Sequence, residues 1–106
     1  MYAALLGQMK GAAASRLEHA GEVSVAGFWG LSVTEIIKVV LDKALDLGRE
    51  YRGEIENAAK AAVDAVVELD LPFIPEGIEA TIDSATRAAG YAAVVAVLDA
   101  VLGPAV

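Results

Sequence analysis

The side chains that could do chemistry in this chain are one histidine and fifteen carboxylates, and their spacing assembles no site. His19 is the only histidine, and no HExxH or ExxH motif surrounds it. Helical zinc and di-iron sites need those spacings. The absence of cysteine removes thiolate ligands, a cysteine nucleophile and disulfides, although it leaves the cellular compartment open. We therefore predict no metal site and interpret His19 as a partly exposed residue near the end of a helix.

Two pairs of carboxylates four residues apart, Asp42 with Asp46 and Glu50 with Glu54, could share a cation or a proton. Four basic residues are interleaved with them: Lys38, Lys43, Arg49 and Arg52. Such mixing is typical of a solvated helix face, and Asp83 with Arg87 is predicted to be an ordinary helical ion pair. No phosphate loop or serine elbow is present. We expect no catalytic residue, no cofactor and no small-molecule substrate, and hence no enzyme.

Composition favours helices that approach one another closely. Hydrophobic residues make up 57% of the 106 residues, but 22 of them are alanine and only six residues are aromatic. That length suits one domain with one core, which we place over residues 1–106. The net charge of −7 comes with no basic stripe, so nucleic acid is not an expected partner and anionic lipid is not attracted electrostatically. A cleaved signal is not expected, because Lys10 interrupts the first apolar run.

A helical stripe of apolar or small residues at steps of three or four runs through the middle of the chain. Its members are Val33, Ile37, Val40, Ala44, Leu47, Tyr51, Ile55, Ala58, Ala62, Ala65 and Leu69. Ser32 and Glu35 match a capping box at its start, and the preceding residues 22–31 are predicted to be a connection.

Gly48 and Gly53 leave the length of this helix open, since glycine costs about 1 kcal/mol inside a helix. The stripe keeps its phase across them, and opposite charges at helical spacing continue from Arg52 through Glu56 to Lys60. We favour one helix over residues 33–69, which would be a rod of about 55 Å that needs partner copies along its length. The alternative is a break at Gly48–Gly53.

Two further helices are predicted. The first covers residues 2–20, and Gly21 could end it. The last covers residues 76–102; it follows Pro72 and Pro75 and ends before Gly103-Pro104. The predicted fold is therefore all-α, an elongated helical hairpin or bundle of three helices. It becomes a bundle of four helices if the middle one breaks.

Rows of small residues are the sequence feature that most strongly indicates a function, namely packing against other helices. Such rows let two helix backbones come close together. The predicted packing interface comprises Ala85, Ala88, Ala89, Ala92, Ala93, Ala96 and Ala100 of the last helix, with Gly7 and Gly11 of the first. The run Ala88–Leu98 is shorter than the roughly 20 residues of a membrane span, so a packing helix is preferred to an inserted one.

Phe28 and Trp29, between two glycines, either cover the end of the bundle or anchor the protein to a partner or a membrane. The sequence thus predicts a non-enzymatic structural or interaction protein that associates with itself or with other helical subunits. A virion or filament subunit fits this description. The alternative is a small membrane-associated protein whose last helix enters a bilayer.

Overall fold

A computed structural model of the chain describes residues 1–14, 25–68 and 76–103, with side chains over residues 1–13, 30–68 and 83–103. The described residues form four α-helices and one 3₁₀ turn. The helices are α1 (Tyr2–Ala14), α2 (Val25–Leu47), α3 (Arg52–Val67) and α4 (Glu76–Leu102), and the 3₁₀ turn is Arg49–Tyr51. The all-α bundle that the sequence predicts is confirmed.

The last helix has the predicted bounds. Gly103 follows it with a φ of 85°, and its N–H donates to the carbonyl of Asp99 at 3.0 Å. A left-handed glycine just past the last turn is the usual way to stop a helix. The first helix begins as predicted at Tyr2, whereas its predicted end at residue 20, His19 and the prolines at 72 and 75 lie outside the described residues.

The connection predicted over residues 22–31 is wrong for residues 25–31, and so is the capping box at Ser32, because α2 begins at Val25. Residues 22–24 lie outside the described residues. Ser32 is fully buried in the interior of that helix. Thr34 Oγ1 donates to the carbonyl of Gly30 at 2.8 Å, a bond across one helical turn. Glycine lowers helix propensity by only about 1 kcal/mol, and packing of the helix overcomes that cost at Gly30.

The preferred single helix over residues 33–69 is also wrong, and the four-helix alternative is correct. Gly48 has a φ of 83° and its N–H donates to the carbonyl of Ala44 at 3.1 Å, which closes α2. Only glycine adopts this left-handed conformation at little cost. Tyr51 N–H then donates to the Gly48 carbonyl at 3.2 Å in the 3₁₀ turn, and α3 starts at Arg52. Gly53 lies inside α3 and breaks nothing.

The helices pack around a shared core. Helices α1 and α4 each contact both α2 and α3, and α2 also contacts α3. The core is made of small and medium side chains, and its largest fully buried members are Met9, Ile36, Ile55 and Leu98. The stripe predicted for the middle of the chain does supply buried residues on both sides of the break, such as Val40 and Ala58.

Because of the break at Gly48, the chain does not form the predicted long rod, so partner copies are not required to cover one. The molecule measures 42 × 23 × 19 Å and has a radius of gyration of 13.8 Å. That radius is close to the roughly 13 Å expected of a compact 100-residue domain. Helix α4, at about 40 Å, must lie along the longest dimension.

Candidate functional site

Helix α4 has two dissimilar faces. Its inner face carries Gly90, Val94 and Leu98, which are buried and spaced four residues apart. Its outer face is solvent-exposed and is composed mainly of alanine, with the exposed Asp99 on the same side. The exposed alanines are Ala85, Ala88, Ala89, Ala92, Ala96 and Ala100, and we call them the alanine face. Six members of the predicted packing interface therefore lie on one exposed strip, beside the partly buried Ala93.

The close approach between α3 and α4 occurs on the other side of α4, at a residue that the sequence analysis did not select. A β-carbon added to Gly90 would lie 2.8 Å from Val63 Cγ1, closer than real contacts allow. Only a residue without a side chain fits there. The alanine face makes no comparable contact within the described chain, because its members are exposed.

The glycines of the first helix face solvent as well. Gly7 and Gly11 are exposed, and a β-carbon on either would meet no described atom within 4 Å. Phe28 and Trp29 lie in the first two turns of α2, but their side chains are outside the described part, so their predicted role as an anchor stays a prediction.

A polar seam joins α3 to α4. We define it as Arg52, Glu56, Lys60 and Asp64 of α3 with Arg87, Tyr91 and Asp99 of α4. Each set has members four or eight residues apart, so each occupies one side of its helix. The prediction that Arg52 lies on a solvated helix face is wrong, because Arg52 is only 8% exposed.

Contacts across the seam run in antiparallel order. Arg52 donates to Asp99, and the Lys60 ammonium lies 5.5 Å from the centroid of the Tyr91 ring. The Tyr91 hydroxyl donates to Asp64. Within α3, Glu56 receives Arg52 Nη1 at 3.2 Å and Lys60 Nζ at 3.4 Å, which confirms both of those predicted helical pairs.

Arg87 does not behave as predicted. Its Nε lies 2.9 Å from Asp64 Oδ1 on the neighbouring helix, an ion pair by distance that lacks the alignment of a hydrogen bond. The expected partner, Asp83, leaves its buried Oδ1 without a hydrogen bond from the described residues. Desolvation by burial raises the pKa of the Asp83 carboxyl, and the nearby Arg87 guanidinium opposes that shift.

The electrostatics of the seam also affect a tyrosine. The hydrogen bond that Tyr91 donates to Asp64 raises the pKa of the phenol, because it stabilises the protonated form. Burial and the negative charge of Asp64 act in the same direction, and Arg87 acts against them. The seam is thus an arrangement of opposite charges between two helices, in which Arg52 Nε and Arg87 Nε make no hydrogen bond to the described residues.

Nothing in the described part of the chain resembles a metal centre. No group of three or more histidine, cysteine, aspartate or glutamate side chains there could hold an ion. Of the two predicted carboxylate pairs, Asp42 and Asp46 are both exposed, whereas Glu54 is partly buried and its partner Glu50 is exposed.

One described segment, Asp83–Leu102, is long and apolar enough to cross a bilayer, and 17% of its most apolar window is buried inside the molecule. A helix at the centre of a soluble core passes the same test but is mostly buried. The low buried fraction reflects the alanine face.

No family model matches this chain, and neither the curated proteins nor the solved structures contain a match to it.

Proposed function

We propose that this protein is a non-enzymatic structural or interaction protein that self-associates through the alanine face of α4. In this proposal it is a subunit of a larger assembly, such as a virion or a filament. The observation that supports the proposal is the exposure of six alanines along one side of a helix whose other side is already packed.

The composition of the alanine face favours a helical partner. Exposed apolar strips commonly mark interaction surfaces. Alanine adds little bulk, so a second helix can approach its backbone closely and gain many weak contacts. A bulkier apolar strip would serve equally well for a loop or a small ligand, whereas a strip of methyl groups offers no pocket.

The size of the face favours an assembly over an isolated pair. The alanine face runs from Ala85 to Ala100, so it is a strip about 24 Å long and about 10 Å wide, or about 240 Å². Stable two-protein interfaces bury about 800 Å² on each partner. One such contact would be weak, so repeated contacts in a larger structure would be needed. The exposed Gly7 and Gly11 of α1 offer a second strip of small residues for that purpose.

Light scattering coupled to size-exclusion chromatography in detergent-free buffer tests the proposal over a range of concentrations. We expect a mass above that of one chain, and we expect Ala92→Glu to lower it because a charge would be buried in the contact. Ala92→Leu and Ala96→Leu should weaken association through overpacking. Asn57→Glu, an exposed change on α3, is the control. A monomer at high concentration, or unchanged association in all three α4 variants, would contradict the proposal.

Membrane association is the second candidate, supported by the largely unburied apolar segment Asp83–Leu102. Insertion would require α4 to leave α3, which would separate Asp99 from Arg52 and carry a carboxylate towards lipid. Sedimentation with vesicles of zwitterionic lipid distinguishes the two candidates. If the protein stays in the supernatant and the Trp29 emission is unchanged, the membrane alternative is removed.

A further inference from the structure

We infer that the polar seam and the Gly90–Val63 contact act together as a register lock, which fixes the position of α4 along α3. An antiparallel pair of alanine-rich helices has few large side chains to fix such a position, and uniformly packed interfaces specify their structure poorly. On α3 the buried face includes Ala58, Ala59 and Ala62. Some other feature must therefore select one register.

The contacts of the seam share a single register. Each step of four residues forward along α4 corresponds to a step of four backward along α3. Arg87 faces Asp64, and Tyr91 faces Lys60 one turn later. Two turns further on, Asp99 faces Arg52.

A slip by one helical turn would bring like charges together in either direction. In one direction Asp83 would move opposite Asp64, and Arg87 would move opposite Lys60. In the other direction Asp99 would move opposite Glu56, whereas Arg87 would move opposite Glu68. Like charges at neighbouring positions on packed elements are destabilising. Both slipped registers lose the native attractions; the first gains two repulsions, and the second gains one repulsion beside one attraction.

The apolar contact opposes the same slips. Gly90 is the residue that faces Val63, and even a single β-carbon there would come within 2.8 Å of Val63 Cγ1. A slip of one turn would replace Gly90 by Thr86 or by Val94, both of which carry β-branched side chains. Charge and shape therefore select the same register independently. This inference does not depend on self-association.

A distance between two spin labels can measure the register. The chain has no cysteine, so Gly53→Cys and Ser84→Cys provide two unique and exposed attachment sites, one on each helix. The redirecting variant combines Val63→Ala, Asp83→Lys and Arg87→Glu with Asp99→Ala, which removes the Arg52–Asp99 pair that would otherwise favour the native register. It places opposite charges together only after a slip that brings position 83 opposite Asp64. At about 1.5 Å per residue, that slip reduces the axial separation of the labels from about 21 Å to about 15 Å.

The two helix axes are also separated sideways by about 8–10 Å, so the distance between the labels changes slightly less than their axial separation. Pulsed electron paramagnetic resonance on labelled protein diluted with unlabelled protein should therefore show a distance shorter by about 5 Å in the redirecting variant. The control variant combines Lys38→Glu with Asp42→Lys on the outer face of α2. Like the redirecting variant, it reverses one positive and one negative charge four residues apart. The control should keep the native distance. A native distance in the folded redirecting variant would overturn the inference.

If circular dichroism shows that the redirecting variant is unfolded, a milder variant tests whether these contacts fix the register. Lys60→Ala, Val63→Ala, Asp64→Ala and Asp99→Ala together remove the obstacles to the first slip while they retain a strong helix former at each position. We expect two label distances, the native one and one about 5 Å shorter. A single native distance in this variant would show that something else fixes the register, and the inference would be wrong.

Discussion

Gly90 of α4 lies against the side chain of Val63 of α3 so closely that position 90 has no room for a methyl group. Val63 is β-branched and has one strongly preferred rotamer in a helix, so it cannot easily turn away. We therefore expect Gly90→Ala to destabilise the protein by about 1 kcal/mol in urea unfolding. Overpacking costs about 1–3 kcal/mol, and the better helix propensity of alanine returns about 1 kcal/mol.

The matched control for Gly90 is Gly53→Ala, since a β-carbon on Gly53 meets no described atom within 4 Å. That substitution should stabilise the protein by about 0.5–1 kcal/mol. If both alanine variants are stabilised equally, α3 and α4 are not in close contact at Gly90. Val63→Ala should relieve part of the cost of Gly90→Ala, and a double-mutant cycle measures this coupling.

Asp99 supports the most deeply buried charge of the polar seam. Asp99→Asn would leave Arg52 with Glu56 as its remaining carboxylate partner. The Asp99 side chain is 46% exposed, so solvent screening reduces the loss below that of a fully buried pair. We expect a destabilisation of about 1–2 kcal/mol, measured by urea unfolding.

Asp42→Asn is the comparison for Asp99. Asp42 is exposed and its nearest basic nitrogen, Lys43 Nζ, is 3.9 Å away, so the change should be within about 0.5 kcal/mol of zero. Equal effects of the two substitutions would show that the Arg52–Asp99 pair contributes no more than an ordinary surface charge.

Tyr91 should make the stability of the protein sensitive to alkaline pH. The phenol has a raised pKa in the folded protein, so the folded state retains this proton where the unfolded chain has lost it. The resulting stabilisation is fully present below the ordinary tyrosine pKa of about 10 and is lost as pH rises through the folded value. Tyr91→Phe removes this pH-dependent contribution.

Urea unfolding of both proteins between about pH 8 and 11 measures the effect of Tyr91, and the free energies are compared as a difference so that other titrating groups cancel. We expect the advantage of the unsubstituted protein over Tyr91→Phe to shrink above about pH 10. A difference that is constant over this range would argue against the Tyr91–Asp64 hydrogen bond.

Gly48 should be the one glycine between α2 and α3 that resists replacement. With its ψ of −177°, the φ of 83° lies in a region that essentially only glycine occupies, so alanine and asparagine are both strained there by about 1–3 kcal/mol. We expect Gly48→Ala and Gly48→Asn to destabilise the protein by similar amounts, as measured by thermal unfolding. If alanine is tolerated without loss and the hydrodynamic radius grows, the two helices have fused into one rod.

The four glycines at 30, 48, 53 and 90 explain why only part of the fold was predictable. All four weaken a helix equally in sequence-based reasoning. Only Gly48 adopts a left-handed conformation, whereas Gly30, Gly53 and Gly90 lie inside helices. The difference comes from packing between elements, which a local pattern does not contain. The end of α4 was predictable because Gly103 and Pro104 follow a long helical stretch.

The candidate surfaces, too, were predictable from the sequence only in part. The spacing of the alanines predicts that they share one side of α4, but it cannot show whether that side faces the bundle or solvent. The polar seam was missed because residues four apart were paired within one helix. Arg87 and Tyr91 meet Asp64 only once α3 and α4 are antiparallel in one register. The signal for the seam in the sequence was the spacing of four residues between charged side chains, which occurs in both α3 and α4.

Helix α4 is about as long as the molecule itself, which measures 42 Å in its longest dimension. Copies stacked end to end along this helix would repeat at roughly that interval. The periodicity of an ordered array built in this way would be set by a single stretch of chain, from Glu76 to Leu102, and lengthening that stretch would lengthen the repeat.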